Sequence, residues 1–439
     1  MLDNALGVSG VAHVPDSSPL SRRRIIAATT IGNALEFYDF LIYSFFAAQI
    51  GRAFFPVGND VGSMLASLAT FGVGFLFRPL GSIVLGAYAD RRGRKAAMLL
   101  TLALMALGTA IIAFTPSYAQ IGVFAPALIV LGRILQGFST GGEVGASTSM
   151  LAEAAPNHQR GFYISWQMAS QGLAVLAAAL ISFTLTQTLD KAALASWGWR
   201  LPFVVGMLIA PMGMYIRRQL KETYAREMAP DAQRHPESAL TELASSYRQL
   251  SVMSTLIQAG SQITSYIFII YLPTYAIVQL HMPAHLALAA VIASGIVTFV
   301  ASPLLGILSD RVGRKPLAWG SRILSIAVAI PCFHALNQQL PMWALALMLG
   351  GLAILAAMCA VGNYTLVTEN FPARVRASGM GIAQAIGAAI FGGFAQFTAT
   401  WLIRVTSDPL APAYLVIACC TISTIPLFFL RETRNVPLT

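Results

Sequence analysis

Charge is scarce in this chain. Only 10% of its 439 residues are Asp, Glu, Lys or Arg, against about 25% in ordinary soluble domains. A soluble protein of this length could not cover its surface with so little charge, so that class is excluded. Cysteine is nearly as sparse. Cys332, Cys359, Cys419 and Cys420 all fall in apolar runs of the second half. They show no metal-ligand or redox spacing and read as small lipid- or core-facing residues, and no metal is expected. Among the six histidines no pair lies within the apolar runs, and His281, His285 and His334 belong to no motif. A Ser–His arrangement at local spacing is missing too. No Gly-rich loop ends in Lys-Ser or Lys-Thr, since Gly93-Arg94-Lys95 runs on into Ala96. Enzymatic chemistry, direct drive by ATP and a bound cofactor are therefore not expected. Nor is a cleavable signal peptide, because the first apolar run is too long and follows a polar segment, residues 1–21.

Long apolar runs are what the chain does have. Apolar residues make up 56% of it, and runs such as 25–50, 62–89 and 96–114 reach the roughly 20 residues that cross a bilayer core. About twelve spans follow: 25–50, 62–89, 96–114, 120–148, 161–187, 200–216, 250–279, 285–308, 317–335, 341–367, 375–403 and 410–430. They are numbered 1 to 12 below. The expected fold is an all-α polytopic membrane protein. Gly137, Gly141 and Gly145 in span 4 place small residues on one face, where helices can approach closely.

Two motifs occur twice, in the same order, about half a chain apart. Gly86-Ala87-Tyr88-Ala89-Asp90-Arg91-Arg92-Gly93-Arg94-Lys95 returns as Gly306-Ile307-Leu308-Ser309-Asp310-Arg311-Val312-Gly313-Arg314-Lys315. Glu153-Ala154-Ala155-Pro156 with Arg160 returns as Glu369-Asn370-Phe371-Pro372 with Arg376. The repetition argues for two homologous six-span halves in parallel orientation. The expected units are a tail (1–24), a first bundle (25–216), a linker (217–249) holding Pro230 and Pro236, a second bundle (250–431) and a closing tail (432–439). Basic residues set the orientation. Arg22–Arg24, Arg91–Lys95, Arg217–Lys221, Arg311–Lys315 and Arg431–Arg434 share one side, whereas the other holds only Arg52, Lys191, Arg200 and Arg404. By the positive-inside rule both termini are cytoplasmic. The net charge of +10 is thus an orientation signal, and nucleic acid is not an expected partner.

The doubled Gly-x-x-x-Asp-Arg-x-Gly-Arg-Lys turn resembles the signature loop of the major facilitator superfamily, and the resemblance covers essentially the whole chain. Gly32-Asn33-Ala34-Leu35-Glu36-Phe37-Tyr38-Asp39-Phe40, Phe77-Arg78-Pro79-Leu80-Gly81, Gln136-Gly137-Phe138-Ser139 and Trp197-Gly198-Trp199-Arg200-Leu201-Pro202 are similar to its metabolite:proton symporter branch. Phe162-Tyr163-Ile164-Ser165-Trp166-Gln167-Met168-Ala169-Ser170-Gln171 and Ile390-Phe391-Gly392-Gly393-Phe394 look like its citrate and tricarballylate carriers. The chain departs from those carriers at Val144–Thr148 and over much of spans 7 to 10. The resemblance implies twelve helices in two pseudo-symmetric six-helix bundles and a multi-pass place in a bacterial inner membrane. It also implies import of a small organic anion with protons by alternating access, with the monomer as the working unit. Citrate or a related tricarboxylate leads. A mono- or dicarboxylate such as 2-oxoglutarate or a shikimate-like acid, and a zwitterion such as proline or betaine, stay open.

Ionisable groups deep in spans each need a reason, since a charge at the bilayer centre costs about 2.5–3.5 kcal/mol on insertion scales. Asn33, Glu36 and Asp39 recur every third residue and share one broad side of span 1. Two carboxyls so close resist simultaneous ionisation, which suits Asp39 or Glu36 to proton coupling; the competing role is a fixed ion pair. In related symporters the span 1 acid pairs with a span 4 Arg, and Arg133 occupies that position. Arg78, just before Pro79, and Arg133 are candidate grips for a carboxylate, because guanidinium binds it as a fork. Asn33, Trp166, Gln167 and Gln171 could serve the substrate or simply tie helices together. Tyr266, Tyr271, Tyr275, Gln262, Asn363 and Gln384 are candidate wall residues of the second half, of which Tyr271 and Asn363 are singled out as binding candidates. Asp90, Arg91, Arg94, Glu143, Glu153, Arg160, Asp310, Arg311, Arg314, Glu369 and Arg376 form the expected cytoplasmic gate, made and broken as the carrier switches.

Overall fold

The computed structural model describes residues 19–92, 94–207, 211, 236–338, 340–373 and 375–438. Most of the tail 1–24, about half of span 6 and the linker up to residue 235 lie outside them. The described residues form helices and connecting turns without a strand. Among the described residues, eight helices are long and apolar enough to cross a membrane by length and composition: Asp60–Leu85, Arg160–Thr188, Arg248–Val278, Ala284–Val312, Arg314–Leu336, Met342–Asn370, Arg376–Thr406 and Ala411–Phe429. Pro19–Phe45, Arg94–Phe114 and the pair Phe124–Thr140 and Glu143–Ala154 supply spans 1, 3 and 4. Of span 6, the turn Gly198–Arg200 and residues 201–207 are described. Together they give the all-α, twelve-span architecture of two six-helix bundles.

Local chemistry explains the breaks. Span 2 divides at Phe77 into Asp60–Leu76 and Arg78–Arg92. Pro79 has no N–H to give, so it sits at the start of the second piece, where that donor is not needed. The break sets Arg78 at a helix start. Span 7 widens into a π turn over Tyr266–Tyr271, and span 11 does the same over Ala388–Gly392. Such turns are often found at functional sites, and Gly392 lies against the Tyr266 ring.

Glycine decides the packing of span 4 on span 2. A Cβ at Gly137 would stand 1.7 Å from the Gly74 carbonyl oxygen, and one at Gly141 2.0 Å from that of Arg78. The two backbones touch, which holds Arg78 beside the helix that carries Arg133. Replacing Gly137 by alanine should cost at least about 3 kcal/mol, the upper part of the range for overpacking. Thermal unfolding of the purified protein in detergent would register it as a large fall in the midpoint. The halves meet along spans 5 and 8 in the same way, with Gly161 against Gly306 and Gly172 beside Gly295.

Candidate functional site

A narrow cavity lies between the bundles. It is lined by Phe37 and Leu41 of span 1, Arg78 of span 2, and Met168, Gln171 and Val175 of span 5. The second half adds Ser261, Gln262, Ser265, Tyr266, Ile269 and Ile270 of span 7, Thr298 of span 8, Ala360 and Tyr364 of span 10, and Gln384 of span 11. The gap is tight, with room for little more than water.

Among the described lining residues, Arg78 is the one with a charged side chain. Its guanidinium stacks on Phe75 at 3.7 Å and reaches Phe40 at 4.7 Å, and its buried Nε makes no hydrogen bond. Opposite, the Tyr364 hydroxyl accepts from Gln171 Nε2 (3.4 Å) and Gln384 Nε2 (3.3 Å). Its own hydrogen is therefore available to an incoming acceptor. Gln384 Oε1 is buried without a donor, so it can accept from a hydroxyl or a protonated carboxyl. Among the described lining residues, one cation, donors around it and no acid make a wall suited to an anion with some hydroxyl character.

Of the residues expected at the substrate, Arg78 and Gln171 line the cavity and six others lie outside its lining. Asn33 and Gln167 satisfy each other: Gln167 Nε2 donates to Asn33 Oδ1 at 3.0 Å, while Asn33 Nδ2 donates to the Gln167 carbonyl at 3.2 Å and to Ser170. They fasten span 1 to span 5. Trp166 packs edge-on against Phe162 and Phe299, in the seam between spans 5 and 8. Tyr271 accepts from Thr400 at 3.2 Å. Asn363 accepts from buried Arg322 at 2.8 Å and donates to the Ile257 carbonyl at 3.0 Å. Arg133 lies behind Phe40, as described next.

Tyr364, Ser261, Ser265 and Thr298 were not singled out from sequence. Tyr364 had a signal, in the polar patch Gly362-Asn363-Tyr364-Thr365 within an apolar run. The serines and the threonine had none, because such residues commonly satisfy themselves on their own helix.

Asp39 and Arg133 form a second, deeper cluster, and they do so without touching. No ion pair joins them among the described residues; a chain of neutral groups does. Thr109 donates its hydroxyl hydrogen to Asp39 Oδ2 and accepts from Gln136 Nε2 at 2.9 Å. Gln136 Oε1 in turn accepts from an Arg133 terminal nitrogen at 2.7 Å. The direct pair implied by the family resemblance is thus replaced by a relay, because Thr109 of span 3 and Gln136 of span 4 fill the space between. The fully buried Arg133 guanidinium stands 4.7 Å from the rings of Phe40, Tyr43 and Phe71. Phe40 is therefore shared by both arginines and joins this cluster to the cavity wall. Glu36 is buried one turn before Phe40 and interacts electrostatically with Arg78.

The end of the molecule that carries the charged turns is tied shut across the halves. Asp310 Oδ1 and Oδ2 accept from the backbone N–H groups of Gly161 and Phe162, each at 2.9 Å. A carboxylate from one half thus caps the helix start of the other, the placement its dipole favours. Arg160 reaches Glu369 at 3.4 Å, and Arg376 reaches Glu153 at 3.1 Å. Glu369 also holds Arg314 through two bonds of 3.1 and 3.0 Å, and Arg314 pairs with Asp310 at 2.9 Å. The C-terminal segment joins in. Thr433 donates to Glu369, Arg160 donates to the Val436 carbonyl, and Glu432 accepts from the backbone N–H groups of Arg314 and Lys315. Of the other expected gate residues, Arg311 is exposed and Glu143 opens the second helix of span 4. The side chains of Asp90, Arg91 and Arg94 lie outside the described residues. At the opposite end Ser44 of span 1 donates to Gln396 Oε1 of span 11 at 2.7 Å, and Gly72 and Gly393 meet Phe394 and Phe75. Contacts between the halves thus flank the cavity at both ends.

The family model described as Major Facilitator Superfamily matches residues 29–396. The citrate-proton symporter of Salmonella typhi is 36% identical over 428 residues, covering 96% of this chain and 98% of that protein. The alpha-ketoglutarate permease of Escherichia coli (strain K12) is 34% identical over 428 residues, covering 95% and 96%. Among solved structures, the crystal structure of a D-xylose-proton symporter superposes with a TM-score of 0.73 at 19% identity, covering 95% of this chain and 99% of that one. Its fold is shared. With its two bundles, its central cavity and a family match over most of its length, the chain belongs to the Major Facilitator Superfamily.

Proposed function

We propose that the protein imports a small organic anion together with protons by alternating access, with citrate or a related tricarboxylate as the substrate that fits best. The observation that carries this reading is Arg78, the one charged group among the described residues of the cavity wall, with a buried Nε that has no hydrogen-bond partner. A carboxylate would take that donor and the Tyr364 hydroxyl together. The whole-length similarity to a citrate-proton symporter supports the choice of acid. Coupling to protons is physically apt. Each negative charge entering against an inside-negative potential costs about 2.3 kcal/mol per 100 mV, and protons carried with a tricarboxylate offset that cost.

The charged end is read as the cytoplasmic gate, with both termini inside. An acidic exterior loads Asp39, the anion binds at Arg78, and the ties at the charged end part to release both. Glu369 is the hub of those ties. Glu369→Gln leaves Arg314 and Arg160 without their shared counter-ion and should favour the inward-open form. With Ser309→Cys as a buried reporter beside the gate, labelling from the cytoplasmic side is expected to rise about tenfold in the Glu369→Gln background.

A second reading, a zwitterionic osmolyte, is favoured by one observation: Glu36 is close enough to Arg78 to interact with it and could answer an ammonium group. Uptake into proteoliposomes under an imposed pH gradient separates the readings. Labelled citrate, tricarballylate, 2-oxoglutarate, shikimate and proline are compared, and a tri- or dicarboxylate is expected to accumulate. Accumulation of proline alone would remove the anion reading.

A further inference from the structure

We propose that Thr109 is a positioning residue of the proton step, a hydroxyl that reverses its hydrogen bond when Asp39 gains its proton and passes the change through Gln136 to Arg133. The inference rests on the coupling role given to Asp39 above. With Asp39 ionised, Thr109 donates to Oδ2 and accepts from Gln136 Nε2 at 2.9 Å. The other carboxylate oxygen, Oδ1, is buried without a hydrogen-bond partner and faces Gly206 of span 6, where a Cβ would stand 2.4 Å away. A proton on Oδ1 would be an unsatisfied buried donor, a state that costs free energy. A proton on Oδ2 has an acceptor waiting in Thr109 Oγ1.

The hydroxyl can meet that demand without moving its oxygen. Its second acceptor, the Met105 carbonyl one turn back on span 3, stands 3.0 Å away. On protonation the Asp39 O–H donates to Thr109, the Thr109 hydrogen swings to Met105, and the Gln136 bond persists. One proton from the medium becomes the carboxyl proton, and no bond to carbon changes. Both protonation states of Asp39 are thereby satisfied. What changes is the charge at the far end of the chain: Gln136 no longer links Arg133 to an anion, and Arg133 faces the Phe40 ring that Arg78 also uses. Among the described residues, Arg133 of span 4 and Tyr38 on its own helix act on Asp39 directly; Tyr43 and Arg78 act on Arg133, and Glu36 on Arg78. Spans 3 and 6 present Thr109 and Gly206, both uncharged.

The test compares Thr109→Val, which keeps the shape and removes the hydroxyl, with Thr109→Ser, which restores it. In citrate-free proteoliposomes under an imposed pH gradient, the external pH at half-maximal uptake of labelled citrate is measured for each. A hydrogen bond to an ionised group is stronger than one to a neutral group, so losing the hydroxyl penalises ionised Asp39 more. The valine variant should shift the midpoint upward by about one pH unit, and serine should return it. An unshifted midpoint in Thr109→Val overturns the inference. If the valine variant transports nothing, infrared difference spectra of the wild-type and Thr109→Val proteins on acidification decide. A protonated carboxyl band assigned to Asp39, by its loss in Asp39→Asn, must shift between the two, and a coincident band sinks the proposal. Wild-type citrate counterflow without a pH gradient reads the transport function separately. Its absence would fall on that reading, whereas an unshifted midpoint with intact counterflow falls on the hydroxyl alone.

Discussion

Asp39→Asn is expected to leave a carrier that exchanges its substrate across the bilayer but no longer concentrates it. Asparagine keeps the shape and can still bond to Thr109, yet it never ionises, so it mimics one protonation state permanently. One pH unit is worth 1.36 kcal/mol per proton. Under an imposed gradient of about two units, the wild type should therefore reach an accumulation of about 100-fold for each coupled proton, and the variant should stay near unity. The geometry of Asp39 suits it to this role. It is 5% exposed in mid-span, it has one oxygen committed to Thr109 and one free, and its charge connects to Arg133 through neutral groups that need not break. Full accumulation by Asp39→Asn would move the proton site, with Glu36 the next group to replace.

Arg78→Ala should cost the carrier its affinity. Charge-assisted hydrogen bonds contribute about 1.5–3 kcal/mol each, and a guanidinium can offer two. A loss of about 2–4 kcal/mol, or about 30- to 1,000-fold in binding, is expected. Arg78→Lys keeps the charge but loses the fork and the stacking on Phe75, so it should recover only part of the affinity. Arg78 also fills the space between Phe75 and Phe40, and the alanine variant will be less stable as well. Binding therefore has to be measured on folded protein, by calorimetry or by protection against heating. Equal citrate affinity in wild type and Arg78→Ala would place the anion elsewhere. Arg133→Ala serves as the contrast: with Arg133 outside the cavity lining, its main effect should fall on the pH dependence of uptake.

Much of the architecture was legible because bilayer thickness imposes long apolar runs and because the two halves repeat their charged turns. The same duplication marked Asp310, Arg314, Glu369 and Arg376, which the structure gathers at one end. Periodicity also placed Asn33, Glu36 and Asp39 on the buried side of span 1. It could not say what each meets there. Asn33 and Gln167 are polar residues of the same kind as Gln171, but they pair with each other across a helix seam, whereas Gln171 faces the cavity. Such outcomes depend on which helices become neighbours, information that a single strand of sequence does not carry. Thr109 and Tyr364 were hidden for a related reason. A lone threonine or tyrosine in an apolar span usually satisfies itself locally, and only the fold brings Thr109 under Asp39 and Tyr364 between two glutamines. The reach of the C-terminal segment to Glu369 and Arg160 was equally invisible, since polar tail residues fit many surfaces.

The most direct measurement of the central claim is the pH of a weakly buffered medium outside proteoliposomes when citrate is added. Proton-coupled anion import predicts an immediate alkalinisation with wild-type protein, absent with Asp39→Asn and much weakened with Arg78→Ala. Citrate entry without alkalinisation, or alkalinisation on adding proline but not any of the carboxylates, would contradict it.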